Sequence, residues 1–267
     1  MTLGFSACGN EKNERSKMEQ SILGISSELM IDHFNIWVSN PEKAKEKLLN
    51  IGFNSIPDSL SQVHTGQGTA GKYFYFLNAY LELIFVYDQN EFTNNNIINE
   101  QLDFAERNDY RKNGASPFSI ALKLKDYDVE KIPFEKIRYH QNWMEKQANI
   151  YSAKNSKLRL QEPSIFVVYP EIESDTFETL ADLNKIPDEY AFARQFYRHP
   201  NGAKKITKII IKSPKLDSNT KTIQSINGIK NIRVRNGTEN LMLLYFDENV
   251  QGKSFDLRPD LPLIVYL

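Results

Sequence analysis

Cysteine is almost missing from this chain. Its 267 residues hold one, Cys8, so no intramolecular disulfide can form and no CxxC redox or zinc motif exists. An excess of either charge is missing too: 33 basic residues stand against 34 acidic ones, a net charge of −1. A nucleic-acid-binding face gathers a basic surplus, and the only basic runs are short, such as Lys204-Lys205 with Lys208. Nucleic acid is therefore not an expected partner. No apolar run approaches the roughly 18 residues that mark a membrane-spanning helix. There is no phosphate-binding glycine loop, no dinucleotide fingerprint and no serine nucleophile elbow. Asn236-Gly237-Thr238 matches a glycosylation acceptor, but nothing else in the chain gives it meaning.

What is present suits a packed protein. Apolar residues make up 40% of the chain, enough for one large domain or two small ones. Order is predicted to begin near Glu28. Met30 to Val38 reads as a strand with Phe34, Ile36 and Val38 on one face and Ile31, His33, Asn35 and Trp37 on the other. Asn40-Pro41 marks a helix start, Ala44, Leu48 and Ile51 fall at helical spacing, and Gly52 ends it. Lys72–Leu77 and Tyr80–Tyr87 read as strands, the second with Tyr80, Glu82, Ile84 and Val86 on one face. With a short extended piece at Phe53–Ile56 after the helix, the order through Tyr87 is β-α-β-β-β. A surface helix is predicted within residues 90–112, strands at Phe118–Leu124, Ala148–Ala153 and Ser164–Tyr169, and an amphipathic helix over residues 173–196. A third stretch repeats the pattern, with strands at Ile206–Ile211, Ile229–Val234, Leu241–Phe246 and Leu261–Leu267 and a helix at Ser218–Ile226. The predicted organisation is a tether at residues 1–27, paired modules at 28–170, a helical linker at 171–204 and a third module at 205–267.

Ile31-Asp32-His33-Phe34 followed by the Asn40-Pro41 helix resembles the opening of glyoxalase-like modules. So do Leu48 to Phe53, His64-Thr65-Gly66-Gln67-Gly68-Thr69 and Tyr80 to Ile84. The chain is thereby similar to the vicinal oxygen chelate superfamily. It departs from one branch of that class at Gly71, where relatives often carry Asn. The resemblance implies an α+β fold of tandem βαβββ modules, whose half-barrel sheets of mixed strand direction surround a cavity, with helical insertions. It also implies a divalent metal, Zn, Ni, Fe or Mn, held by residues on the first and last strands of paired units. His33 and Glu82 occupy those positions in the first unit, and imidazole and carboxylate suit such ions. In the later units Ser119, Lys208 and Pro262 stand where ligands would be, so the metal site is half made. His64 or His199 is the candidate for a third ligand.

Each candidate has a plainer alternative. His33 is a ligand or a hydrogen-bonded histidine of the cavity wall. Glu82 lines the cavity as ligand or catalytic base, or pairs with Lys72 or Arg198, since a charge in an apolar strand needs a partner or a task. His64, near Gly66 and Gly68, binds a ligand or merely sits in a tight turn. His199 precedes Pro200-Asn201-Gly202 and reads by default as a turn residue, and His140 as a loop residue. Trp37, Tyr73, Tyr75 and Tyr80 line a pocket or pack the core. Three functions follow: a metal-free cavity binding a small molecule, a metal-dependent lyase, isomerase or dioxygenase, or an envelope interaction protein with a vestigial cavity. The expected partners are a small-molecule ligand and, in a homodimer, a second copy.

Leu3-Gly4-Phe5-Ser6-Ala7-Cys8-Gly9 resembles a bacterial lipoprotein box, with Cys8 as the lipidated residue and the polar stretch after it as a tether. That implies a lipid-anchored protein of the cell envelope. Only seven residues precede Cys8, with neither a basic start nor an apolar run. The alternative is a cytoplasmic chain with a disordered tail.

Overall fold

A computed structural model describes residues 28–170 and 174–267. Cys8 and the expected tether lie outside these. The first module is β1 (Leu29–Trp37), α1 (Pro41–Asn50), β2 (Val63–His64), β3 (Thr69–Phe76) and β4 (Ala79–Val86). Three short helices follow: α2 (Gln89–Ile98), α3 (Phe104–Asn108) and α4 (Tyr110–Asn113). The second module is β5 (Phe118–Leu124), β6 (Lys136–Tyr139), β7 (Ile150–Ala153), α5 (Asn155–Leu158) and β8 (Ser164–Val167). Both modules share one curled eight-stranded sheet, in the order β2-β3-β4-β1-β5-β8-β7-β6. The join lies between β1 and β5, which run antiparallel. In each module the last strand returns parallel to the first: β4 along β1 and β8 along β5.

Strand alternation puts the apolar side against the core and the mixed side against the cavity. Phe34, Ile36, Leu81, Leu83, Ile120 and Leu122 are fully buried in the main core, each stabilising by about 1.5–3 kcal/mol. The neighbours His33, Asn35, Trp37, Tyr80 and Glu82 face the cavity. Helix α1 starts where the sequence indicates: the Asn40 side chain accepts from the Lys43 N–H at 3.0 Å and Pro41 occupies the first helical turn. Ala44 and Leu48 are its buried residues. Gly52 adopts φ +82° just beyond the helix, and a Cβ there would stand 2.9 Å from the Asn201 Cβ. The stop is thus also the point where residues 199–202 close on the first module.

A second sheet contains β9 (Ile206–Ser213), β10 (Ile232–Asn236), β11 (Leu241–Phe246), β12 (Ser254–Asp256) and β13 (Leu263–Tyr266), with α6 (Lys221–Asn227) between β9 and β10. Its order is β10-β9-β11-β13-β12. Here the strand parallel to the first is the next in the chain, β10, and not the last. This order sets it apart from the first module, so Lys208 and Pro262 are not the counterparts of His33 and Glu82. Lys208 instead lies over the Tyr245 ring, 5.4 Å from its centroid. The two sheets share the main apolar core, and Phe246 meets Phe53 and Phe76 with ring centroids 5.2 and 4.6 Å apart.

The sequence pattern predicts one amphipathic helix over residues 173–196. The described part holds 3-10 turns at Asp182–Lys185 and Asp188–Tyr197. Two prolines, Pro187 and Pro170, and the break at Tyr190 (φ −110°, ψ 15°) fit a segment that follows the surface of the first module. Its apolar side chains Phe177, Leu183 and Tyr197 bury against Leu77. The helix expected within residues 90–112 is three short pieces, because Asn and Asp favour caps over helix interiors: Asp88 caps α2, accepting from the N–H groups of Asn90 and Glu91.

Candidate functional site

The curled sheet encloses a cavity of about 460 Å³, within the range of small-molecule sites. Strand β1 supplies His33, Asn35 and Trp37, and β4 supplies Tyr80, Glu82 and Ile84. His64, Gln67 and Tyr73 come from β2, β3 and the turn joining them, and Phe104 lines the cavity from α3. The second module adds Ser119, Tyr139, Trp143, Ser152, Ser164 and Phe166.

His33 is held from two sides. Its ring stacks on Tyr80, centroids 4.3 Å apart and planes 13° apart. Its Nδ1 lies 2.5 Å from Asp32 Oδ1. Successive strand residues normally point to opposite faces, so this contact needs a break in the strand. It is present: the register between β1 and β5 shifts between Ile31 and His33, and a bulge of this kind re-aims a side chain. Asp32 is fully buried. Its Oδ2 accepts from the Ser174 N–H at 2.6 Å and from the Ser174 hydroxyl at 3.0 Å, and Lys123 Nζ lies 3.8 Å away. Burial pushes the Asp32 carboxyl up, but the His33 hydrogen bond and charge, the Ser174 N–H and Lys123 outweigh it and hold it below its ordinary value. An ionised Asp32 can only accept, so Nδ1 carries the shared proton. The opposite nitrogen, Nε2, makes no hydrogen bond among the described residues and is left to the cavity.

Glu82 sits beside Asn35 across the parallel β1/β4 pair. It is 4% exposed, and its Oε1 accepts no hydrogen bond among the described residues. Burial pushes its carboxyl up to about 7, against the lowering effects of the His33 charge and the nearby Tyr73 hydroxyl. No ion pair joins it to Lys72 or Arg198 among the described residues. Lys72 pairs instead with Glu42 and Asp58, each at 2.9 Å. Gly71 explains how the carboxylate fits: a Cβ there would lie 2.4 Å from Glu82 Oε1 and 2.6 Å from the Tyr73 hydroxyl. The departure from the branch pattern at this position is the space that Glu82 and Tyr73 use.

His64 lies 3.9 Å from Glu82 Oε1 through its Nε2. Its Nδ1 lies 2.9 Å from Thr69 Oγ1, its Nε2 lies 3.2 Å from the Tyr73 hydroxyl, and its ring packs on Trp143 at 5.0 Å. Burial and the His33 charge push it down to about 4, so the ring is neutral at pH 7. His199 is elsewhere. Its Nδ1 accepts from the Asn54 N–H and its Nε2 donates to the Tyr75 carbonyl, both at 2.9 Å, which leaves neither nitrogen for a ligand. It fastens residues 199–202 to the first module. His140 contacts the Ala148 carbonyl through Nδ1 and does not line the cavity. Tyr75 does not line it either. It stands behind Tyr80, ring centroids 5.1 Å apart, and against Tyr197 at 5.5 Å.

Strand register shows what the second module places opposite His33 and Glu82. Phe34 faces Ile120 across the join, and exchanging the modules about that pair carries His33 onto Ser119 and Asn35 onto Ala121. Glu82 is the partner of Asn35, and Phe166 is the partner of Ala121, so Phe166 takes the place of Glu82. The metal positions implied by the resemblance therefore hold an imidazole, a carboxylate, a hydroxyl and a phenyl ring. Phe166 meets His33 edge-on at 5.6 Å. Among the described residues no group of three or more His, Cys, Asp and Glu is arranged to hold a metal ion. The donor set does not fit the divalent metal of the class.

Sequence parity found the β1 and β4 side chains but missed Gln67, Tyr139 and Trp143. Tyr139 donates to Gln67 Oε1 at 3.0 Å, and Gln67 Nε2 donates to Thr69 Oγ1 at 2.7 Å. These span the edges of the sheet, and no local pattern signals that they meet.

Paired modules joined through their first strands, with the cavity inside their common sheet, define the vicinal oxygen chelate superfamily. Within it the chain belongs to the glyoxalase-like domain family, whose model matches residues 31–226. It is similar to a hypothetical protein from Staphylococcus aureus at 14% identity, covering 89% of this chain and 97% of that one with a TM-score of 0.50. That likeness is one of fold. It is also similar to methylmalonyl-CoA epimerase from Mycobacterium tuberculosis at 11% identity, covering 57% of this chain and 90% of that one with a TM-score of 0.33. No curated protein matches the chain.

Proposed function

We propose that this domain binds a small organic molecule in the sheet-lined cavity without a metal ion. One observation carries the reading: Asn35 Oδ1, Glu82 Oε1 and Trp143 Nε1 belong to cavity-lining residues and are buried without a hydrogen-bond partner. Such atoms cost about 1–3 kcal/mol each when left unsatisfied, and a ligand offering matching groups recovers that cost. Ser119 and Phe166 support the metal-free form, because neither a neutral hydroxyl nor a phenyl ring completes the donor set. Aromatic walls from Trp37, Tyr80, Phe104 and Phe166 supply contact area for an apolar body.

The chain's two tryptophans, Trp37 and Trp143, both line the cavity, so tryptophan emission reports occupancy. The test uses N-phenyl-1-naphthylamine, a neutral aromatic probe. Expected are saturable energy transfer from tryptophan at one probe per chain and its loss in the cavity-filling variants Ser119→Phe and Ser164→Phe, with folding checked by circular dichroism. Probe binding that both folded variants retain, or no binding to the unaltered protein, overturns the reading.

A further inference from the structure

We infer that the ligand head group is a protonated amine, seated between Glu82 and Asn35 with its organic body against the aromatic walls. The inference rests on the cavity-binding reading and narrows its ligand to one chemical class.

The charges come first. Glu82, Asp103 and Glu145 line the cavity, and among the described residues no lysine or arginine does. Asp103 is already satisfied: Arg107 Nε donates to its Oδ2 at 2.8 Å and the Ser164 hydroxyl to its Oδ1 at 3.1 Å. Glu145 is exposed. Glu82 is the buried carboxylate whose Oε1 accepts no hydrogen bond among the described residues; its neighbours are the neutral His64 at 3.9 Å and the Tyr73 hydroxyl, neither of which carries a positive charge. It would take a cation as counter-ion, and an ionised carboxylate in low dielectric favours a charged donor over a neutral one.

The geometry comes second. Asn35 and Glu82 are register partners on neighbouring parallel strands and share the cavity face. Asn35 Oδ1 is the second buried acceptor without a partner. Two unpartnered acceptors on adjacent register partners suit a head group with several donors, and an ammonium offers three. A carboxylate or phosphate offers only acceptors and would repel both.

The walls come third. Aromatic faces attract cations by roughly 0.5–2 kcal/mol, more when desolvated. Tyr73 and Tyr80 flank the same end, ring centroids 5.9 Å apart. Of the two imidazoles at that end, His64 is neutral at pH 7 and His33 has Asp32 as its own counter-ion.

Three probes of matched shape test this by isothermal titration at pH 7.5: 2-phenylethylamine, 2-phenylethanol and 3-phenylpropanoate. The amine is expected to bind at one per chain, at least tenfold more tightly than the alcohol and at least a hundredfold more tightly than the carboxylate. In Glu82→Gln the preference for amine over alcohol should fall to threefold or less, while Glu145→Gln keeps it. Circular dichroism and N-phenyl-1-naphthylamine binding establish that each variant is folded with its cavity open. Equal binding of the three, tighter binding of the carboxylate, or a preference that survives Glu82→Gln overturns the inference. If the naphthylamine probe binds and the amine does not, the inference falls and the cavity reading stands. If neither binds, both fall.

Discussion

Asp32 and His33 are consecutive on one strand, yet their side chains meet at 2.5 Å. The bulge that allows this lies between Ile31 and His33, and the Asp32 carboxylate is fixed in turn by Ser174. The pair thus has a fixed direction, with the shared proton on Nδ1 and the opposite nitrogen, Nε2, facing the cavity. Asp32→Ala leaves the Ser174 N–H without its acceptor and the buried Lys123, whose Nζ donates to the Ser174 carbonyl at 2.7 Å, without its counter-ion. It should cost about 3–5 kcal/mol in urea unfolding, as expected when a buried charge loses its partner. Asp32→Asn should cost less and move the His33 ring proton toward Nε2. Nitrogen-15 NMR of the histidine ring reads that change, and an unaltered His33 signal in Asp32→Asn would show that the contact does not set the tautomer.

Gly71 is a second point of control. Alanine there brings a Cβ to within 2.6 Å of both Glu82 and Tyr73, closer than packed atoms tolerate. Gly71→Ala should lose about 1–3 kcal/mol of stability and weaken binding of N-phenyl-1-naphthylamine at least fivefold, because the displaced side chains enter the cavity. Unchanged melting and probe affinity would refute this.

The pH dependence of stability has opposite contributions at the two ends of the scale. Glu82 is raised from 4.5 to about 7 by burial, so the folded protein holds its proton more tightly than the unfolded chain does. The resulting stability is complete below about pH 4.5 and is lost as pH rises through about 7. Glu82→Gln removes that loss. Denaturant unfolding at pH 8.5 and pH 5 should show the variant gaining about 2–4 kcal/mol relative to the unaltered protein between the lower and the higher pH.

His199 works in the other direction. Burial pushes it from 6.5 down to about 4, despite its contact with the Tyr75 carbonyl. Its contribution is full above about pH 6.5 and is lost as pH falls through about 4. His199→Ala strands the Asn54 N–H and the Tyr75 carbonyl, so it should cost about 2–4 kcal/mol at pH 7.5. The deficit should shrink by about 1–2 kcal/mol at pH 5. A deficit that grows on acidification would contradict the assignment. Tryptophan-monitored unfolding measures both values.

The two faces of β1 and β4 were legible because alternation has period two and one face must be apolar. That alone predicts His33, Trp37, Tyr80 and Glu82 on one side, with Phe34 and Ile36 on the other. The same rule hides Asp32, since a bulge violates the period and nothing in Ile31-Asp32-His33 announces it. Arg107 was hidden for a different reason. It is fully buried, and its guanidinium bonds to Asp103 and to the carbonyls of Ser116, Ser156 and Leu160. On paper it belongs to a polar surface helix. His199 reads as a turn residue, and so it is, but its work is done on Asn54, 145 positions earlier. The order of strands in the second sheet depends on which neighbour each strand finds, and periodicity is silent on that.

The clasp of Asp32 by Ser174 spans 142 residues, which bears on how the protein is made. Chains emerge from the ribosome N-terminus first and fold as units. β1 and β4 can pair early, but the other edge of β1 stays open until β5 arrives, and the Asp32 carboxylate is secured only after the second module has passed. A nascent chain halted between β4 and β5 is therefore half a sheet with an exposed apolar edge, the kind of surface that chaperones cover and proteases remove. Its half of the cavity has walls and nothing to enclose. Neither module holds the site alone: it comes into being at the join, late in synthesis.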